Sequence, residues 1–187
     1  AGLRARAMLA AGASGRRMFA EVREQVAEYV EAFERWRAGA EPRSLQVEAT
    51  VDGLRVHGQL TDVYPHGIAR VRFDEQSGPG AIRAGLDWLL ASAAGTGLDL
   101  VQFHLVKGAG VGPHVRPALD PCKAPDALRR LLELRRQGLR EPLPFAPYSS
   151  WDYYQAATGE RGSLEKGAAA AAKRWRGAGR GFAEGEG

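Results

Sequence analysis

Apolar residues recur every three or four positions between residues 16 and 38, which is the spacing of one face of an α-helix. The repeating positions are Phe19, Val22, Val26, Tyr29 or Val30, Phe33 and Trp36. Gly39 stops this pattern, and Pro42 prevents the helix from resuming. The sequence therefore predicts a long amphipathic helix that packs its apolar face against the rest of the fold.

A period of two replaces the helical period after residue 43, as in strands with one buried face. Residues 45–51 and 54–61 alternate between apolar and polar side chains, and Asp52-Gly53 between them is a hairpin signal. A second turn at 64–67 leads to a third strand, in which Ala69, Val71 and Phe73 back a polar row of Arg70, Arg72, Asp74 and Gln76. These residues predict a three-stranded meander with one apolar and one polar face.

Helices and one buried strand are predicted for the next part of the chain. Residues 80–94 and 124–138 carry leucines at helical spacing, and nearly all of 98–106 is apolar, as in a strand covered on both faces. The glycine-rich stretch 107–117 is predicted to be a flexible connection. Together with a short aromatic helix at 151–154, the predicted order is α-β-β-β-α-β-α-α.

The segment that leads into the aromatic helix is rich in proline. Pro142, Pro144 and Pro147 preset an extended path. We expect this path to bring Phe145 and Trp151 to fixed positions, where they anchor the segment on the domain. The alanine-rich stretch that follows is compatible with a last helix, which then gives way to glycine.

Composition narrows the class of protein. The chain has 187 residues, of which 44% are apolar and 26% charged, as in one globular domain over 1–187. We expect an ordered core over 16–160, and a C-terminal helix with a glycine-rich tail over 161–187. No stretch is apolar enough to span a membrane, and no signal peptide is recognisable at a start that looks cut from a larger chain. The single cysteine, Cys122, suits a reducing compartment, so the cytoplasm is predicted.

The charged and metal-binding residue types give weaker signals. The formal net charge is +4, and only four of the 26 basic residues are lysines. Arginine suits bidentate contact with phosphate, but a GC-rich coding sequence enriches arginine as well, so nucleic acid is a compatible partner and not an established one. His104 lies on the apolar strand and is predicted to be a core residue. The other three histidines have no partner at metal-ligand spacing.

The order helix, meander, crossover helix and buried strand resembles the core of restriction-endonuclease-like, PD-(D/E)xK nucleases. In that family a metal-binding Asp stands on the second strand, and the third strand carries Asp or Glu, a spacer and Lys. Thr61, Asp74 and Gln76 stand at these positions here, so one carboxylate of the pattern is kept. The resemblance implies an α/β (α+β) fold, with a central mixed sheet of four or more strands flanked by helices, and no catalytic residue, metal or cofactor.

Two other interpretations of the meander stay open. Asp62 and Arg83 could replace the missing Asp and Lys and restore an active, metal-dependent nuclease. Alternation points Asp62 to the opposite face of its strand unless a bulge intervenes. Arg70 and Arg72 share the predicted polar face with Asp74 and would compete with a metal ion there. The second interpretation is an ordinary hairpin unrelated to nucleases.

A second resemblance lies at residues 137–147, Gln-Gly-Leu-Arg-Glu-Pro-Leu-Pro-Phe-Ala-Pro. This run is similar to a motif of the RecC C-terminal domain family, whose RecC proteins are the gamma subunit of exodeoxyribonuclease V. Ala146 departs from the motif, which has Phe there, and Ser150-Trp151 and Tyr153 continue it. The resemblance extends over residues 43–187, including the last helix and the acidic glycine-rich end, whereas the first helix agrees in pattern only.

This resemblance implies a nuclease-like domain without nuclease chemistry, in a subunit that acts in double-strand break repair by recombination. The expected partners are DNA and two further subunits of a heterotrimer, a RecB-like helicase-nuclease and a RecD-like helicase. The candidate contacts with DNA or these subunits are Arg70, Arg72, Arg135, Arg136, Arg140, Trp151 and Tyr153. The alternatives are an active nuclease and a free-standing DNA-binding module.

Overall fold

The computed structural model describes residues 12–143 and 145–177, which form five helices and five strands. In chain order the elements are α1 (Gly12–Arg37), β1 (Arg43–Val51), β2 (Leu54–Tyr64), β3 (Gly67–Glu75), α2 (Gly78–Ala93), β4 (Leu100–Leu105), β5 (His114–Arg116), α3 (Ala124–Gly138), α4 (Pro147–Thr158) and α5 (Leu164–Trp175). Among the described residues, no helix combines the length and the apolar character needed to span a membrane.

The strands form one mixed sheet in the order β1-β2-β3-β4-β5. β2 and β3 are antiparallel, with Val63 opposite Ile68. β3 and β4 are parallel, with Ile68 opposite Leu100, and helix α2 makes the crossover between them. The prediction of a mixed sheet of four or more strands flanked by helices is confirmed.

The fifth strand corrects the prediction of a flexible connection at 107–117. Val106 and Gly110 form an isolated bridge, and Gly108 and Gly110 have positive φ angles of 82° and 77°, so the chain reverses tightly. β5 then pairs antiparallel with β4. Val111 in the same segment is buried, which shows that this stretch is part of the core and not a loose linker.

The described residues divide into two compact units, and the first contains residues 12–44, 61–75 and 99–117. Its core lies between α1 and the strands β3 and β4, as the apolar face of the first predicted helix requires. Phe33 and Trp36 of α1 contact the fully buried ring of Phe103, with ring centroids 5.5 and 5.6 Å apart. Tyr64 at the end of β2 completes this aromatic cluster.

Of the described residues, the second unit contains 45–60, 76–98, 118–143 and 145–177. The predicted alternation in β1 is confirmed, because Val47, Ala49 and Val51 are buried and their neighbours are exposed. Leu128 of α3 packs with Ala49 and Val51 in one apolar cluster. The predicted helices at 80–94 and 124–138 are confirmed as α2 and α3.

The proline-rich segment ends where Pro147 begins α4. Gly78 at the start of α2 leaves room for this helix, because an added Cβ would lie 2.8 Å from Cβ of Trp151. Trp151 is therefore packed on the domain, as predicted. Phe145 is 54% exposed, so the prediction that it anchors the segment is wrong for the chain by itself. Pro144 lies outside the described residues, as do residues 178–187 of the C-terminal helix and glycine-rich tail predicted over 161–187.

The last predicted helix is present as α5, which packs against α4. Gly167 of α5 makes the close approach possible, since a Cβ there would lie 3.0 Å from Tyr153 and Ala157. Ser163 caps the helix, and its side chain accepts a hydrogen bond from the Lys166 N–H at 3.1 Å. The expectation of one domain over 1–187 stays a prediction.

Candidate functional site

The alternation of buried and exposed residues breaks near the end of β2, as it does at a β-bulge. This is the position predicted to correspond to the metal-binding Asp of nucleases. Thr61 and Asp62 are both exposed, although Leu60 before them and Val63 after them are buried. Asp62 has a positive φ of 53°, which aspartate tolerates better than most residues. The alternation is therefore lost at Asp62, which is the exception that the prediction of opposite faces left open. The Thr61 hydroxyl donates to Oδ2 of Asp62 at 3.2 Å.

The guanidinium of Arg70 lies beside these two residues. Its Nη1 donates to the carbonyl oxygen of Thr61 at 3.0 Å and to that of Ala69 at 2.7 Å. The same Nη1 is 3.9 Å from Oδ2 of Asp62. These two backbone acceptors hold the guanidinium in place. Its positive charge therefore stands next to the Asp62 carboxylate, which a metal ion at this position would need as a ligand.

A second irregularity separates Asp74 from the first half of β3. Val71 is opposite Phe103, but Glu75 is opposite Leu105, so four residues of β3 span two residues of β4. The predicted uninterrupted row of Arg70, Arg72, Asp74 and Gln76 is therefore wrong, because alternation is lost before Asp74. Arg72 closes the irregular segment by donating from Nε to the carbonyl oxygen of Glu75 at 2.7 Å.

Helix α1 holds the backbone of Asp74. The Asp74 N–H donates to the hydroxyl oxygen of Tyr29 at 2.9 Å, and the Tyr29 ring lies 5.2 Å from that of Phe73. Asp74 has a positive φ of 73°, so this contact fixes a backbone conformation that a regular strand would not adopt. The position of the one carboxylate that fits the nuclease pattern thus depends on a residue of α1 that lies 45 positions earlier in the chain.

Gln76 lies between the end of β3 and the N-cap of α2. Its side-chain oxygen accepts the N–H of Ser77 at 3.2 Å. Ser77 is the N-cap of α2 and accepts the N–H of Gly80 at 3.4 Å. Arg83, the alternative to the family lysine, is exposed on the second turn of α2. The residue at the lysine position therefore has a structural contact at a helix start.

Sequence reasoning missed a pair of histidines that β5 brings to β4. The rings of His104 and His114 lie 4.8 Å apart, and Nε2 of His114 is 3.0 Å from the carbonyl oxygen of His104. The pKa of His104 is lowered by burial, then by the charges of His114 and Arg72. Ten positions separate the two histidines, so no metal-ligand spacing signals the pair. No group of three or more potential metal ligands occurs in the described part of the chain.

The remaining candidates lie in the second unit. Arg135, Arg136 and Arg140 stand at the C-terminal end of α3 and just after it, where every side chain from 133 to 142 is exposed. Trp151 stacks on Tyr154 at 5.7 Å between ring centroids. Tyr153 packs on Gly167 of α5. The three arginines are thus clustered, and contacts of any of these residues with DNA or a protein stay predictions.

Comparison with known proteins identifies the family. No protein with a curated description matches the chain. The family described as the RecC C-terminal domain matches residues 1–158. The match includes α1, although the sequence of this helix resembles the family in its apolar pattern only. It ends at residue 158, the last residue of α4, and does not include α5. On this match over most of its length, the chain belongs to the RecC C-terminal domain family.

Proposed function

We propose that this chain is a non-catalytic, nuclease-like domain that acts as a scaffold and DNA guide in the RecC subunit of a helicase-nuclease. RecC is a subunit of the RecBCD complex, exodeoxyribonuclease V, and the family match supports membership of such a complex. The proposed partners are a RecB-like helicase-nuclease, a RecD-like helicase and DNA, and the proposed compartment is the cytoplasm. No cofactor is part of the proposal.

The observation that carries the non-catalytic part of the proposal is the position of Arg70. Metal-dependent hydrolysis of a phosphodiester needs several oxygen ligands around a hard cation. At the end of β2, the guanidinium of Arg70 lies 3.9 Å from the Asp62 carboxylate. Its positive charge stands beside this carboxylate, where the charge of a metal ion would be needed. Thr61 stands at the predicted position of the metal-binding Asp of the PD-(D/E)xK nucleases. It contributes only a neutral hydroxyl, which donates to the Asp62 carboxylate.

The proposed DNA contacts rest on the distribution of arginine. Arg135, Arg136 and Arg140 extend from one exposed helix end, a geometry that suits contact with phosphates without base readout. Such contacts position a strand and do not select its sequence, as a guide requires. We therefore expect salt-dependent, sequence-independent binding through these residues.

One observation favours an active nuclease as the second candidate. The bulge at Thr61 and Asp62 brings the Asp62 carboxylate out beside the position of the family Asp. In such an enzyme Asp62 would replace that residue as metal ligand. The contact with Arg70 opposes this function, and we rank it second.

Co-purification with the two helicase subunits tests the proposed function. The full-length subunit that contains this chain is expressed with both partners and analysed by size-exclusion chromatography. We expect one complex with all three subunits. Variants of Arg135 and Arg136 to Gln should keep the complex together and weaken its binding to duplex DNA ends. A subunit that binds DNA but joins neither partner would be a free-standing DNA-binding module instead.

A further inference from the structure

A groove lies between helices α4 and α5, with a volume of about 580 Å³. Small side chains face it from both helices: Ser149 and Ser150 from α4, and Ala171 and Ala172 from α5. Small residues between two packed helices leave space that another chain can fill. We call this feature, within the second unit, the α4–α5 groove.

Large apolar side chains border the α4–α5 groove and are poorly covered. Phe145 is 54% exposed and Trp175 is 50% exposed, and both line the groove. Tyr153 joins them there. Each aromatic side chain of this size buries about 150–250 Å² when it is fully packed. A cluster of exposed aromatics beside a concave surface is the typical feature of a protein-binding site.

The charge of the lining argues against a nucleic acid as the occupant. A groove for single-stranded DNA combines aromatic side chains with several basic residues that follow the phosphates. Arg176 is the one charged residue along the described lining of the α4–α5 groove. The neighbouring Arg174 is engaged, because it lies 3.2 Å from the Asp152 carboxylate and over the ring of Tyr148.

The groove continues toward the exposed end of α3. Leu143 lines the groove and also packs on Gly138, where an added Cβ would lie 2.9 Å from its Cδ1. Leu139, between these two residues, is 70% exposed. Arg136 and Arg140 flank this leucine in the sequence and are exposed. Apolar side chains therefore continue from the groove to Leu139, where exposed Arg136, Arg140 and Glu141 lie nearby in the sequence, and Arg176 lies in the groove itself.

We propose that the α4–α5 groove binds a helix from a partner subunit, with apolar side chains facing Phe145 and Trp175 and carboxylates facing Arg176 and Arg140. A helix in an apolar groove is a common mode of recognition between proteins. The acidic flanks follow from charge complementarity with the arginines. This inference rests on the proposed function, since that function supplies the partner subunits.

A charged substitution inside the groove tests the proposal. In the full-length subunit, Ala172→Glu places a carboxylate among the apolar side chains and next to the proposed carboxylates of the partner. Ala169→Glu is the matched control, because Ala169 is exposed on the same helix and is not part of the groove lining. We expect Ala172→Glu to weaken assembly with a partner subunit by about ten-fold or more, and Ala169→Glu to leave it unchanged. The thermal unfolding midpoint of each variant checks that it folds.

A photo-crosslinking amino acid at position 172 identifies the occupant in the assembled complex. The proposal predicts a crosslink to one helical peptide of a partner subunit that carries apolar residues with acidic flanks. A crosslink only to single-stranded DNA, or only to residues 178–187 of the same chain, would overturn it. Normal assembly of the folded Ala172→Glu variant, measured beside the Ala169→Glu control, would also overturn the proposal. If the unsubstituted subunit fails to join its partners, the proposed function fails instead.

Discussion

Removing the charge of Arg70 should allow a restored carboxylate to bind a metal ion. Nη1 of Arg70 lies 3.9 Å from the Asp62 carboxylate, and a divalent cation bound to Asp62 would lie at a similar distance from it. At the dielectric constant of water, which suits a carboxylate that is 59% exposed, two unit charges at this distance interact by about 1 kcal/mol. For a divalent ion the repulsion doubles to about 2 kcal/mol, which weakens the affinity of the site for the ion by about 30-fold.

The assay is calorimetric titration of Mn²⁺ into three variants of the chain. Thr61→Asp supplies the family carboxylate but keeps Arg70. We expect Thr61→Asp with Arg70→Gln to bind Mn²⁺ about 30-fold more tightly than Thr61→Asp alone. The control is Thr61→Asp with Arg72→Gln, because Arg72 bonds to the backbone of Glu75; its gain should be smaller. Equal affinities for all three would refute the assignment of Arg70 as the blocking charge.

Three further predictions concern the supports of the site. Tyr29→Phe removes the hydrogen bond to the Asp74 N–H, so the free energy of unfolding in urea should fall by about 1 kcal/mol and amide exchange at Asp74 should accelerate. Gly67→Ala should cost about 2 kcal/mol or more, since the φ is 137° and the Cβ would lie 2.7 Å from the carbonyl oxygen of Asp99; an unchanged thermal midpoint would contradict this. Because burial lowers the pKa of folded His104 below its ordinary value of 6.5, the unfolded chain takes up more protons as the pH falls through 6.5, and stability should decline there. His104→Gln should reduce this pH dependence, and equal slopes for both proteins would count against it.

The spacing of apolar and turn residues predicts most of the helices and strands, because the signal for each of these elements lies within its own sequence. The apolar stripe of α1 contacts β3 and β4 along Tyr29, Phe33 and Trp36. The Asp52-Gly53 turn has positive φ angles of 50° and 75°, which matches the two-residue hairpin that this pair favours. The nearly continuous apolar run around Phe103 became the buried strand β4.

The errors lie where a conformation depends on a distant residue. The two breaks of alternation, at Asp62 and Asp74, coincide with positive φ angles, and the second is held by Tyr29, 45 residues away in the chain. β5 has three residues and exists through pairing with β4, so its own sequence carries little strand signal. Phe145 was expected to be covered by the domain, but the chain alone does not cover it.

The candidate site is assigned by residue type alone, and this assignment stays a prediction. Thr61, Asp74 and Gln76 could be assigned from the nuclease pattern, because that assignment needs residue types only. The contact of Arg70 with Thr61 and Asp62 could not be predicted, because it needs the bulge. The same bulge provides the one feature that favours activity.

The most direct test of the account is a nuclease assay on the purified chain. Linear double-stranded and single-stranded DNA are incubated with the chain and with Mg²⁺ or Mn²⁺, and the products are resolved by gel electrophoresis beside a reaction with a chelator. We predict intact DNA under all of these conditions. Metal-dependent cleavage that is abolished by Asp62→Ala or Asp74→Ala would contradict it and establish the domain as an active nuclease.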